Sequence, residues 1–284
     1  MASVKKRHRP LTLRSVSLDI IKLFIAALFV FAALFPLAWM TIAGFKMKTE
    51  VVKTPFQFFP EVWNIQNYVD ILSDAAFLRT LVVTGSGAVL FTVLSILVNS
   101  LAAYAFARLE FRFKKILWAV AITTMFIPAM TILLTSFLVV TELGMLNSMA
   151  VLVIPGAASA MQMFFIRQFY LNIPSSLEEA ALLDGASKFQ IYTRLFLPLS
   201  KAPFVVVGVT SFMAFWNAYV WPIMVITSPD LFQVQQYLAT FRSERSSELA
   251  LLMAGSTLAA TPVIVLFVIF QKQIIGNIKL SGIK

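Results

Sequence analysis

The chain has no cysteine and a single histidine, His8, which lies in the basic start MASVKKRHRPLTLR. The first absence removes disulfides and thiolate metal sites. The second leaves no imidazole cluster for a metal, because a lone histidine in a charged tail is a solvated residue. Charge is scarce as well: Asp, Glu, Lys and Arg make up 13% of the 284 residues, against 60% hydrophobic, with a mean hydropathy of +0.86. Soluble domains carry about 25% charged residues, so this composition belongs to an integral membrane protein. A phosphate loop of the form G-x-x-x-x-G-K-[ST] is also missing, which excludes a P-loop nucleotide hydrolase within the chain.

What the sequence has is long apolar runs. Crossing ~30 Å of hydrocarbon at 1.5 Å per residue takes roughly 20 predominantly apolar residues. Six stretches meet that need, approximately 20–44, 80–106, 116–141, 148–169, 203–227 and 249–271. The expected fold is an all-α membrane protein with six transmembrane helices. The first run continues through Ile42, beyond the length of a signal-peptide core, and reads as an uncleaved span.

Basic residues stay preferentially on the cytoplasmic side. With both termini inside, 17 of the 23 Lys and Arg fall there, and only Lys46, Lys48, Lys53, Arg79, Arg242 and Arg245 fall outside. The net charge of +10 is thereby a consequence of topology, and nucleic-acid binding is not needed to explain it. The chain divides into a basic cytoplasmic tail at 1–17, a membrane domain at 18–275 and a second cytoplasmic tail at 276–284, without an internal repeat or a low-complexity linker. The outer loop at 45–79 carries Pro55, Pro60, Trp63 and Tyr68, which read as an interfacial aromatic belt or as a partner contact. The outer loop at 227–248, with Asp230, Arg242, Glu244 and Arg245, is either solvated or touches a soluble partner.

Ionisable groups inside a bilayer are expensive and mark proton or ion relays. The cores of the six runs contain none; Asp19 and Lys22 at the cytoplasmic edge come nearest. Energy for uphill transport would therefore enter from outside the membrane domain. A secondary transporter would need an intramembrane carboxylate or ion site, and a membrane-embedded enzyme would need a convergent catalytic set. Neither is visible.

The segment Pro174–Pro203, PSSLEEAALLDGASKFQIYTRLFLPLSKAP, is the longest charged and helix-punctuated stretch between apolar runs. Ser175 and Ser176 each precede a Glu by three residues, the spacing of a capping box, which predicts a helix starting near Leu177. Gly185 offers a left-handed helix stop, and Ser187 with Gln190 repeats the box to open a second helix before Pro198. Helix, glycine corner and helix form a docking surface. Asp184 opposes the dipole at its helix end unless a cation compensates, either Lys188 or a partner's base.

Glu179-Ala180-Ala181, three residues, Gly185, nine residues and Leu195-Phe196-Leu197-Pro198 resemble the EAA loop of ABC importer permeases, departing from its final I-x-L-P only in Leu195. YAFARLEFRFKK at Tyr104–Lys115, Ile127-Pro128, LGMLNS at Leu143–Ser148, FWNAYVWP at Phe215–Pro222 and LLMAGSTLAATPV at Leu251–Val263 extend the resemblance over roughly residues 12–284. In sum the chain resembles the maltose-type carbohydrate permeases, MalG-like subunit.

That resemblance implies an ABC type I importer permease fold in a bacterial or archaeal cell membrane. It implies a heterodimer with a second homologous permease, two copies of a cytoplasmic ABC ATPase, a solute-binding protein and a carbohydrate substrate. ATP and Mg would be bound by the partner ATPase, with no cofactor, metal site or catalytic residue in this chain. The ATPase-coupling residues would be Glu178, Glu179, Ala180, Ala181, Asp184, Gly185, Leu197 and Pro198. Glu179 would dock into the ATPase, cap its own helix, or do both, and the C-terminal tail would reach the ATPase pair or end free. Asn99, Thr131, Trp216, Asn217, Tyr219 and Trp221 are the candidate pathway residues; the alternative for such groups is helix-to-helix hydrogen bonding. A related permease for another small polar solute, such as a sugar phosphate or modified sugar, is the alternative substrate reading.

Overall fold

Hydrocarbon offers no water to backbone N–H and C=O groups, so a chain this apolar must satisfy them inside its own segments. Every regular element among the described residues is accordingly helical. The computed structural model describes residues 13–243 and 248–281, with side chains described for 19–241 and 248–273. The tail residues Lys5, Lys6, Arg7, His8 and Arg9, the loop charges Arg242, Glu244 and Arg245, and residues 282–284 lie outside that description.

In order, the helices are α1 Leu13–Ala43, α2 Gln66–Ser73, α3 Ala75–Arg108, α4 Lys114–Thr123, α5 Leu133–Glu142, α6 Met149–Val153 and α7 Ala160–Leu171. There follow α8 Ser175–Leu183, α9 Lys188–Ile191, α10 Leu197–Leu199, α11 Lys201–Trp216, α12 Val220–Val225, α13 Val234–Ser243 and α14 Leu249–Ser281. A π turn over Tyr192–Phe196 joins α9 to α10.

Three helical stretches, Asp19–Ala43, Ala75–Arg108 and Leu249–Gln273, are long and apolar enough to cross a membrane, or up to five if each of two bent pairs is one span. The apolar runs read from the sequence at 116–141, 148–169 and 203–227 are each broken in the structure. The first is bent by 98° between Lys114–Phe126 and Ala129–Glu142. Pro128 causes it: proline lacks an N–H and disfavours the helical region for the residue before it, and Ile127 is extended at φ −85°, ψ 116°. The second is interrupted at 154–159, around Pro155-Gly156, and the third stops at Trp216 before resuming at Val220. Hydropathy measures apolarity and is blind to these breaks. Toward the C-terminus, α14 carries helix through Ser281, into the stretch read as a tail.

The chain divides into two units, 1–69 with 248–257, and 70–247 with 258–284. In the first, the loop after α1 folds on itself. Asn67 Nδ2 donates to the Gly44 and Lys46 carbonyls, at 2.9 Å each, and Tyr68 donates to the Thr41 carbonyl at 2.8 Å. The buried Lys46 ammonium donates to the Gln57 carbonyl and lies 4.8 Å from the Trp39 ring centre. This loop has its own packed interior, while Phe56, Phe59 and Trp63 stay exposed.

In the second unit, α7 and α11 pack along α3. Gly87 lets α3 and α11 approach: a Cβ there would lie 2.5 Å from the Phe215 ring. At the Arg108 end of α3, Tyr104, Ile166, Tyr170, Ile191, Tyr192 and Phe196 form a buried cluster. The Ser100 and Tyr192 hydroxyls share a 2.7 Å hydrogen bond within it. Arg79, in the first turns of α3, pairs with Asp230, so that acid is tied to α3.

Candidate functional site: the charged corner at 174–203

The corner takes the expected form with one displaced boundary. Its first helix, α8, begins at Ser175, and Pro174 occupies the N-cap without a side-chain hydrogen bond. The capping box expected from Ser175 and Ser176 to Glu178 and Glu179 is not made. Glu178 has stronger partners: its Oε1 accepts from Lys188 Nζ at 3.1 Å and its Oε2 lies 3.9 Å from Arg108 Nε. With a side-chain exposure of 11%, Glu178 is held inside the fold.

The helix stop is as the sequence predicts. Gly185 has φ +80°, a conformation free to glycine and strained for other residues. The Ala186 N–H reaches back to the Ala181 carbonyl and the Gly185 N–H to that of Leu182, both at 3.0 Å. This pair of bonds is a Schellman motif, which satisfies carbonyls left open at the helix end. Ser187 and Gln190 then form a complete capping box and open α9. Lys188 does not compensate Asp184: it reaches across the corner to Glu178 and so ties the two helices together.

The outward face is different. Glu179, Asp184 and Gly185 are exposed, and neither acid pairs with another described residue. Leu183 is 89% exposed and Phe189 67%. Charged groups thus lie beside exposed large apolar side chains on this face. A cavity of about 450 Å³ opens beside it, lined by Ala181, Asp184, Gly185, Ala186, Gln190 and Arg194. Ala180 is exposed, Ala181 and Leu197 half-buried, and Pro198 exposed where the chain turns into α11.

The candidate pathway residues separate into two groups. Asn99 is 2% exposed, donates to the Ala157 carbonyl at 2.8 Å and accepts the Ser159 N–H at 2.8 Å. With Ser95, Ser211 and the half-buried Gln162 it forms one neutral network joining α3, α7 and α11. Trp216 is 3% exposed and donates Nε1–H to the Ala259 carbonyl at 3.0 Å. Both are occupied in binding helices to one another, the alternative that their polarity left open. Thr131, Asn217 and Tyr219 are exposed, and the Trp221 N–H is spent on the Val151 carbonyl. The sequence reading did not single out Arg108, Gln162 or Ser211; the only signal for them was that polar groups in apolar surroundings need partners. Among the described residues no group of three or more His, Cys, Asp and Glu could hold a metal.

Residues 96–280 match the family described as binding-protein-dependent transport system inner membrane component. An arabinooligosaccharide transport system permease of Halalkalibacterium halodurans, AraQ, is 27% identical over 261 residues, 91% of this chain and 94% of its own length. The lactose transport system permease LacG of Rhizobium radiobacter is 27% identical over 276 residues, covering 94% and 99%. A crystal structure of a bacterial ABC transporter involved in importing the acidic polysaccharide alginate contains a chain that matches with a TM-score of 0.82 at 22% identity, covering 93% of this chain and 99% of that one, and so shares the fold. The chain belongs to the binding-protein-dependent transport system inner membrane components, permease subunits of ABC transporters that carry out transport and are not enzymes.

Proposed function

We propose that this chain is a six-span permease, with both termini cytoplasmic, that forms half of the translocation pathway of an ATP-driven carbohydrate importer. Its partners are a second, similar permease, two copies of a cytoplasmic ATPase that bind ATP and Mg, and an extracytoplasmic solute-binding protein. The observation that carries this reading is the corner at 174–203, buried through Glu178 on one side and presenting Glu179, Asp184 and Leu183 on the other. The absence of ionisable groups from the apolar cores leaves that corner as the place for mechanical work to enter. The sugar class rests on the relatives for arabinooligosaccharides and lactose.

In this mechanism closure of the ATPases on ATP pulls α8 and α9 as one piece, because Lys188 and Glu178 bridge them. The movement passes into α11 through Leu197-Pro198 and into α3 through the buried aromatic cluster. Access then alternates around a central pathway. Asn217 and Tyr219, exposed at the break between α11 and α12, and Thr131 beside the Pro128 bend offer hydrogen-bonding groups and a stacking face to a sugar.

The test is untagged copurification followed by reconstitution with the binding protein. The complex should contain an ATPase and a second permease, and import should require ATP. Glu179→Lys should insert and assemble yet lose transport, or hydrolyse ATP without import; unchanged uptake removes Glu179 from the docking role. Uptake that persists without the ATPase would make the chain a secondary transporter. Sugar phosphates or modified sugars are distinguished by the ligand that the binding protein retains.

A further inference from the structure

Resting on the coupling role proposed above, we infer that Arg108 is a positioning residue that locks the corner to α3 and carries its displacement into the membrane. Arg108 is the last residue of α3, and its side chain is 12% exposed. One guanidinium nitrogen donates to the Tyr170 carbonyl at 2.6 Å, which also accepts the Ile173 N–H, and to the Ile173 carbonyl just past the end of α7. The guanidinium carbon lies 5.2 Å from the centre of the Phe196 ring, in the π turn that leads out of the corner. Its Nε faces Glu178 Oε2 at 3.9 Å and makes no hydrogen bond. One planar cation thus touches the end of α7, the inward acid of α8 and the exit from α9.

The second arm is fastened to the same point. Lys188 bonds the other oxygen of Glu178 at 3.1 Å, and the Tyr104 hydroxyl, one turn back along α3, donates to the Lys188 carbonyl at 3.2 Å. A pull on α8 or α9 therefore arrives at residues 104–108 of α3. Arginine suits this position and lysine does not: a rigid fork with several donors can serve two carbonyls and a carboxylate at once, whereas an ammonium is a single point charge. Nothing on the outward face of the corner enters this set, so docking and transmission are separate functions of adjacent acids, Glu179 and Glu178.

The experiment uses the whole complex in liposomes and reads solute imported per ATP hydrolysed. Arg108→Lys and Glu178→Gln should each keep assembly and ATP hydrolysis while that ratio falls on the order of tenfold, within the range of measured coupling effects. The double variant should be no worse than the poorer single, because both changes break one link. If Arg108→Lys does not assemble, Glu178→Gln carries the test, since it preserves volume and a bond to Lys188. An unchanged ratio in Glu178→Gln overturns the inference. So does import that falls only in proportion to assembled complex, as a merely structural role requires. A wild-type complex without an ATPase would instead defeat the wider coupling reading, before any variant is measured.

Discussion

Two polar regions of the larger unit are built on opposite principles. Around the middle of α3, the buried Ser95, Asn99 and Ser211 and the half-buried Gln162 are neutral and bonded to one another and to backbone. At the Arg108 end the groups are charged, and adjacent acids face opposite ways, Glu178 inward and Glu179 outward. The first region uses up its hydrogen-bonding capacity within the chain and holds helices in register. The second keeps part of its capacity unspent, which is what a surface for a partner requires. Burial of a charge demands a counter-charge, while a neutral amide needs only bonds, so the region that must be both anchored and available is the one with ions.

Breaking the charged side of that contrast should have the largest effect. Glu178→Ala leaves Arg108 buried without its acid, a class of change that costs about 3–5 kcal/mol; thermal unfolding in detergent should register it. Away from both regions, where α3 meets α11, Gly87→Leu forces a side chain into the space of Phe215. Overpacking of this kind costs typically 1–3 kcal/mol, again readable as a lowered midpoint. Ser187→Ala removes the capping box of α9 and should cost about 1 kcal/mol, with faster amide exchange confined to residues 187–191.

The smallest effect concerns an ion pair outside the membrane helices, Lys53 with Glu61. The hydrogen bond from Lys53, and then its charge, holds the Glu61 carboxyl below the usual glutamate range, and the same bond raises Lys53 above the usual lysine range. The contribution of Glu61 is therefore present above the ordinary glutamate pKa and lost as pH falls through its lowered value. That of Lys53 is present below the ordinary lysine pKa and lost as pH rises through its raised value. Both groups are exposed, so salt should erase the pair. Titration of Glu61 at low and high ionic strength checks this, and a midpoint indifferent to salt would contradict it.

Local grammar was legible and distant pairing was not. Gly185 and the Ser187–Gln190 box could be read because their partners lie within a few residues. The start of α8 could not, since Glu178 is diverted by Lys188, beyond the glycine corner, and by Arg108, seventy positions earlier in the sequence. The apolar runs were visible by composition, yet their interruptions at Pro128 and Pro155-Gly156 depend on backbone geometry that hydropathy does not weigh. Asn99 and Trp216 drew attention as polar groups in apolar segments. Their carbonyl partners, at Ala157 and Ala259, belong to the folded arrangement alone.

The meeting of Gly87 with Phe215 also limits how α3 and α11 can move past each other. An aromatic ring filling the place of a missing side chain acts as a peg in a notch. Sliding along the axis would drive it into the flanking turns, whereas tilting about it keeps the fit. The fit of the pair therefore resists axial slip more than it resists tilt.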